Sequence, residues 1–346
     1  MEEGFDSVCQ NCGSDLFYNP KNGCLTCKYC ESNFYLPSSR KNSVIVRQYN
    51  AGFHPSMFNR TLNSYKCKSC GRIYFMTTEG RSSRCPNCGN SEIELVEEPG
   101  FCADGVIPFK LTKQQASEAM KDYLKSNNKI PKELSKMAEN QKLMSVLIPV
   151  WNFKFNMSAD YTATESVVKK DSFGMFYTVS NPIFGEKEKR FDSIDECATE
   201  GEDEIFLDLF DENDYANIVP YSPEYSFGSR VDTITKDIHK FYDKVIEKAS
   251  KDLKKDITKE LLARKNDTHD IDVSCRAKDV FFNFTYVPVY VNVFNYKNKL
   301  YKIYISGTTG KVLGKTPVST WYRVKKVLRF VGVAALLAII YKLFKK

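Results

Sequence analysis

The sequence predicts an α+β protein: two N-terminal zinc ribbons, a domain of mixed helix and antiparallel sheet, and a C-terminal membrane helix. Three observations lead there. Eight cysteines near the start of the chain form two copies of C-x2-C-x14-C-x2-C. Between residues 112 and 305, stretches that alternate apolar and polar side chains are interleaved with stretches whose apolar residues recur every three or four positions. Further on, residues 330–341 carry no charge. These features divide the chain into a first ribbon (1–40), a linker (41–60), a second ribbon (61–98), the α+β domain (99–318), and a basic juxtamembrane segment with a single-pass anchor (319–346).

The first cysteine set is Cys9, Cys12, Cys27 and Cys30; the second is Cys67, Cys70, Cys85 and Cys88. Two cysteines with two residues between them aim both sulfurs at one ion from a tight turn, and a second such turn completes a tetrahedron of thiolates. Two matched sets weigh against ordinary buried thiols or disulfides. The intervening residues read as small hairpins, Leu16-Phe17-Tyr18 against Cys24-Leu25-Thr26 in the first and Ile73-Tyr74-Phe75-Met76 in the second. Gly13, Gly71 and Gly89 each follow the second cysteine of a pair and suit a backbone turning sharply around a metal. Four thiolates leave no open coordination position, so each Zn2+ is expected to be structural. Iron also suits four thiolates, and the spacing leaves that alternative open. A unit so small and so poor in apolar residues needs its metal to fold, and such binding contributes on the order of 10–16 kcal/mol in zinc-finger peptides. Cys24 makes a third C-x2-C with Cys27, but the fourteen-residue gap matches the second ribbon only when Cys27 and Cys30 serve. His54 lies near the cages and reads as a surface residue.

The formal net charge of +7 is unevenly spread over the 346 residues. Residues 280–346 hold twelve Lys or Arg and no acid, whereas residues 195–214 hold ten acids and no base. A basic end of this kind suits anionic lipid or nucleic acid. An apolar fraction of 42% excludes a largely disordered chain. Thiolate metal sites beside the further thiols of Cys102, Cys197 and Cys275 point to a reducing compartment. Met1-Glu2-Glu3 is acidic where a secretory signal starts basic, so the ribbons are expected to face the cytosol.

Taken in order, Val44-Ile45-Val46 is expected as a short strand. Thr112 and Gln115 have the form of a capping box, and Ala116, Ala119, Met120, Tyr123 and Leu124 follow at helical spacing. A second helix is expected from Pro131, carrying Leu134, Met137, Gln141 and Met144. Alternation and aromatic content predict strands at residues 150–155, 161–164, 175–179 and 189–191. The acidic stretch 195–214 is expected as a solvated loop with a short helix near 205–210; its acids lack the spacing of a calcium loop. With Ser229 as N-cap, Val231, Ile234, Ile238, Phe241, Val245, Ala249, Leu253, Ile257 and Leu261 predict a helix packed on the sheet and ended by Asn266-Asp267. It would be roughly 35 residues and about 50 Å long. The clearest hairpin joins residues 287–291 to 299–304 through Lys297-Asn298. Ile148-Pro149-Val150-Trp151 and Val287-Pro288-Val289-Tyr290 echo one another, as two related sheet units would after an internal duplication.

Residues 310–316 resemble a phosphate-binding loop but have three residues between the glycines where four are required, and Pro317 follows where a helix should begin. The three histidines, His54, His239 and His269, are scattered, and no protease, hydrolase or dinucleotide fingerprint is present. Neither an enzyme nor a small-molecule substrate is expected. The apolar run reaches eighteen residues when bounded by Val327 and Phe344, the lower limit for a membrane span. Arg329 and Lys342 would snorkel at its ends, so residues 327–344 are expected to meet membrane lipid. Positive charge on both flanks leaves the orientation to the cytosolic preference of the ribbons.

Several phrases together resemble a known bacterial family. They are the first-ribbon text from Cys12-Gly13-Ser14 to Tyr29-Cys30, Gly105-Val106-Ile107-Pro108-Phe109-Lys110-Leu111-Thr112-Lys113, Val219-Pro220-Tyr221-Ser222-Pro223-Glu224-Tyr225, and Gly307-Thr308-Thr309-Gly310-Lys311-Val312 with Gly314 and Pro317. In order, they are similar to the YdjG-like membrane proteins with TFIIB-type zinc ribbons. The resemblance implies a single-pass cell-membrane protein whose cytoplasmic ribbons and soluble domain recruit a flotillin-like (SPFH) partner in an envelope-stress response. It assigns only the eight ribbon cysteines as functional. The alternative is a nucleic-acid-binding zinc-ribbon protein tethered to the membrane, suggested by Lys66, Lys68, Arg72, Arg81 and Arg84 in the second ribbon.

Overall fold

The computed structural model describes residues 8–36, 44–50, 62–69, 71, 73–77, 90–96, 103–131, 133–134, 143–199, 202, 204–232, 234, 236–264, 266–319, 321–322, 324–325 and 328. Near the N-terminus, β1 (Leu16–Asn19), β2 (Cys24–Cys27) and β3 (Asn33–Tyr35) form an antiparallel sheet in chain order. Next come the two-residue strand β4 (Arg47–Gln48) and a second small sheet, in which β5 (Leu62–Cys67) lies between β6 (Ile73–Thr77) and β7 (Ile93–Val96).

The rest is a mixed α+β body, mostly antiparallel sheet with few helices. Its elements in chain order are β8 (Gly105–Val106), α1 (Lys113–Ser126), β9 (Met144–Lys170), β10 (Phe176–Cys197), α2 (Glu212–Tyr215), β11 (Val219–Pro220), β12 (Arg230–Val231), α3 (Ile238–Leu262), β13 (Asp267–Tyr296), β14 (Lys299–Ser306) and β15 (Val312–Gly314). Five strands run across the sheet in the order β10-β9-β13-β14-β15. The short strands expected from sequence are pieces of longer ones: 150–155 and 161–164 belong to the 27-residue β9, and 189–191 and, Met175 apart, 175–179 to the 22-residue β10.

The two echoing proline segments lie side by side. Ile148 pairs with Val287, Leu147 with Pro288, and Pro149 with Tyr286 at the centre of the sheet. Proline has no N–H and is normally kept out of central strands. Here both prolines sit one residue past the end of the outer neighbour, since β10 stops at the Cys197–Val150 pair and β14 at Ser306–Val289. The missing donor therefore costs no ladder bond on that side. Each proline carbonyl still accepts a bond, Pro149 from Ala198 N–H (3.0 Å) and Pro288 from Gly307 N–H (2.9 Å).

Alternation then sorts the two faces. Leu147, Trp151, Phe153, Phe155 and Met157 face α3, whose buried stripe of Ile238, Phe241, Val245, Ala249, Leu253, Ile257 and Leu261 lies along the sheet. Burying each large side chain contributes about 1.5–3 kcal/mol. Val146, Ile148 and Val150 face the other way, onto Phe206, Leu209 and Phe210. Thr112 caps α1 with the expected capping box to Gln115.

Several expectations are corrected. The long helix starts at Ile238 with Asp237 as N-cap, because Arg230–Val231 is drawn into parallel pairing with Val146 and Leu147. Met144 opens β9 and does not lie on the helix expected from Pro131; residues 135–142 lie outside the described residues. The linker strand falls at Arg47–Gln48 instead of residues 44–46 and pairs with Phe281 and Phe282. The acidic stretch is not a solvated loop: Glu196 and Asp214 are buried, and bases from elsewhere meet its acids. Lys244 reaches Glu196 (2.6 Å) and Glu204 (2.9 Å), and Arg230 reaches Glu202 (2.7 Å). His54 and, Leu328 apart, the expected membrane helix of residues 327–344 lie outside the described residues, and among those described no helix is long and apolar enough to cross a membrane.

Candidate metal centre

Cys9, Cys12, Cys27 and Cys30 converge, with all four Sγ atoms within 4.8 Å of one another. Cys9 and Cys30 are 3.5 Å apart, and Cys12 and Cys27 3.4 Å. A tetrahedron with metal–sulfur bonds of about 2.3 Å has edges of about 3.8 Å, so a zinc ion fits the cage with little movement.

Two equivalent turns build it. In the first, the Cys9 N–H donates to the Ser14 carbonyl (2.7 Å), and the Gly13 N–H to the Cys9 carbonyl (2.8 Å). In the second, the Cys27 N–H donates to the Ser32 carbonyl (3.0 Å). The residue after the second cysteine is left-handed in both, Gly13 at φ +71 and Glu31 at φ +56. Glycine adopts this without cost and glutamate does not. The turn is therefore held by its surroundings at Glu31. The β1–β2 hairpin brings the turns together, Leu16 pairing with Cys27 and Asn19 with Cys24.

Electrostatics explain why the cage calls for a cation. The Ser32 hydroxyl, then its backbone N–H, pulls the Cys30 thiol down to about 6. The Ser14 backbone bond favours a Cys12 thiolate, yet desolvation and the neighbouring thiols push that group up to about 12. One thiolate thus forms readily and opposes the next, and a dication relieves the repulsion while releasing protons. Ser14 and Ser32 were not singled out from sequence; their shared place two residues after each C-x2-C was the available signal. Cys24 lies outside the cluster. Three positions from Cys27 on β2, it faces the other way and approaches Asn33 Oδ1 (3.5 Å).

The first ribbon is joined to the body. Leu16, Leu25 and Cys27 pack with Phe227, the Tyr18 N–H donates to the Phe227 carbonyl (3.0 Å), and the Tyr18 and Tyr225 rings are 5.3 Å apart. Gly228, at φ +78, lets Phe17 approach so closely that an added Cβ would stand 2.8 Å from the Phe17 Cβ.

Of the second set, Cys67 is buried, while Cys70, Cys85 and Cys88 lie outside the described residues. The Gly71 N–H donates to the Cys67 carbonyl (2.8 Å) with φ +70, repeating the geometry of Gly13 over Cys9.

No family model matches the chain, and no solved structure matches it. It is a distant homologue of the uncharacterized protein YdjG of Bacillus subtilis (strain 168), 23% identical over 330 residues that cover 94% of this chain and 93% of that protein.

Proposed function

We propose that the protein is a non-enzymatic adaptor, anchored in the cell membrane by residues 327–344, whose cytoplasmic zinc ribbons recruit a protein partner. The observation carrying this reading is the closed Cys9/Cys12/Cys27/Cys30 cage, which offers four thiolates and no position for water or substrate. A metal placed there organises a surface and catalyses nothing. Cys67, Cys70, Cys85 and Cys88 supply a second structural Zn2+ in this reading, in line with the shared turn geometry at Cys9 and Cys67. The partner class, a flotillin-like SPFH protein of an envelope-stress response, comes from the family resemblance; the Bacillus protein is uncharacterized and lends no activity.

The test is recovery of partners from detergent extract with the tagged full chain. Replacing Cys67→Ser and Cys85→Ser together is expected to abolish recovery of the ribbon-dependent partner, and unchanged recovery refutes the docking role. A gel shift at low salt that depends on the second ribbon would favour the nucleic-acid reading instead. In the described part of that ribbon, exposed Lys68 already faces Glu94 at 3.6 Å.

A further inference from the structure

The β9–β10 hairpin outruns the rest of the sheet. The last β13 residue on β9 at this end is Asp267, opposite Ser166, and α3 has already stopped at Leu262. Among the described residues, 167–170 therefore pair only with 176–179. Along the rest of β9 and β10 the solvated face is mostly polar, with Asp160, Thr162, Glu186 and Glu188 outward and Phe184 as the large apolar exception. The tip is different. Phe173 is 91% exposed, Phe176 72% and Met175 69%, with Val168 and Tyr177 beside them. Aromatic side chains so bare of cover mark a contact surface.

Charge identifies the contact. Between Ser166 and Gly185 the charged residues are Lys169, Lys170 and Asp171. The Asp171 carboxylate is engaged within the turn, accepting the N–H groups of Phe173 (2.9 Å) and Met175 (2.8 Å). Those bonds, with Gly174 at φ +87, hold the turn that points Phe173 into solvent. The lysines are exposed, and Lys170 Nζ lies 5.5 Å from the Phe176 ring centre. Aromatic rings bordered by lysines match the interfacial layer of an anionic bilayer, where rings sit at headgroup depth and each lysine adds attraction.

We propose that this hairpin tip is a lipid-contacting element: Phe173, Met175 and Phe176 enter the interface of an anionic membrane while Lys169 and Lys170 meet its phosphates. The contact does not depend on the C-terminal anchor. If both hold, the geometry sets a posture. The Ser319 N–H donates to the Lys129 carbonyl (2.8 Å) near the Tyr296–Lys299 turn, at the other end of the sheet. A 27-residue β9 spans roughly 90 Å at about 3.3 Å per residue. Contacts at both ends lay the long axis of the sheet along the membrane.

The test uses the full chain in vesicles, with Phe173→Trp as reporter and Trp321→Phe to silence the other exposed indole; Trp151, 1% exposed, is shielded. With phosphatidylglycerol present, the reporter is expected to shift to the blue and be quenched by brominated lipid. Replacing both exposed lysines by Gln is expected to lower the ratio of inserted to free tip about 25-fold, about fivefold per lysine. A reporter that remains water-exposed in these vesicles overturns the proposal and leaves the tip to a protein partner. So does an equal shift in pure phosphatidylcholine that ignores the lysine changes, or a lipid-free shift that follows protein concentration. Carbonate extraction of the same vesicles reports the tail separately.

Discussion

Removing Arg230 is expected to damage the body through the charges it leaves behind. Its guanidinium lies 2.7 Å from both Glu202 and Asp232, whose side chains are only 6% and 10% exposed. It ties the acidic segment after β10 to the short strand β12. Breaking a buried ion pair from one side costs about 3–5 kcal/mol, because charge is left in a poorly solvated place. Glu202 would keep Lys302 Nζ and the Tyr304 hydroxyl, both at 2.9 Å, so Arg230→Met is placed at the low end, about 3 kcal/mol. At about 2–4 °C per kcal/mol for a domain of this size, the melting midpoint is expected to fall about 6–12 °C. The triple change Glu202→Gln, Arg230→Met and Asp232→Asn removes the three charges of the Arg230 pairs together, leaves the partly exposed Lys302 to solvent, and is expected to recover most of that loss. Urea and thermal unfolding of the three proteins measure it. A single-mutant loss under about 1 kcal/mol, or a triple mutant no better than the single, refutes the reasoning.

Three further outcomes are expected. Burial first of all holds the Asp195 carboxyl up at about 6, against an ordinary 3.8; its stabilising contribution is full below pH 3.8 and is lost as pH rises through 6. Asp195→Asn should therefore flatten the pH profile of stability and add about 3 kcal/mol at pH 7.5, at about 1.4 kcal/mol per unit; an unchanged slope contradicts this. Gly228→Ala puts a side chain against Phe17 at a left-handed position, so limited proteolysis is expected to release the first ribbon at least several-fold faster while the body stays folded. Leu253→Ala, at a fully buried point of α3, is expected to cost about 2–5 kcal/mol in urea unfolding, and a loss below about 1 kcal/mol would mean that the helix is not seated on the sheet.

What could be read in the sequence was what local chemistry dictates. The first cage is one example, since C-x2-C spacing is a property of a single turn. The Thr112 capping box and the Lys297-Asn298 turn are others; both turn residues adopt the left-handed backbone (φ +49 and +59) that a tight hairpin needs. The continuity of β9 was not legible, because Asn156, Ser158 and Asp160 are polar, point away from the core and look like loop until β10 and β13 pair on either side. Helical spacing misled at Val231 and Ile234. Val231 has the side chain of a strand, and only the presence of β9 decides its conformation. The acids of 195–214 looked solvated because their partners Arg230, Lys244 and Lys302 are remote in the chain. The attachment of the first ribbon at Phe227 and Gly228 carried no motif at all.

The central claim is that Cys9, Cys12, Cys27 and Cys30 clamp one metal ion that organises the first ribbon. X-ray absorption at the zinc edge of the purified full chain, with metal content measured on the same sample, tests it most directly. The expected result is a shell of four sulfurs at about 2.3 Å per zinc, with one equivalent of metal per chain lost in the Cys27→Ser, Cys30→Ser variant. Nitrogen or oxygen in the shell, or metal content unchanged by that variant, would contradict the account.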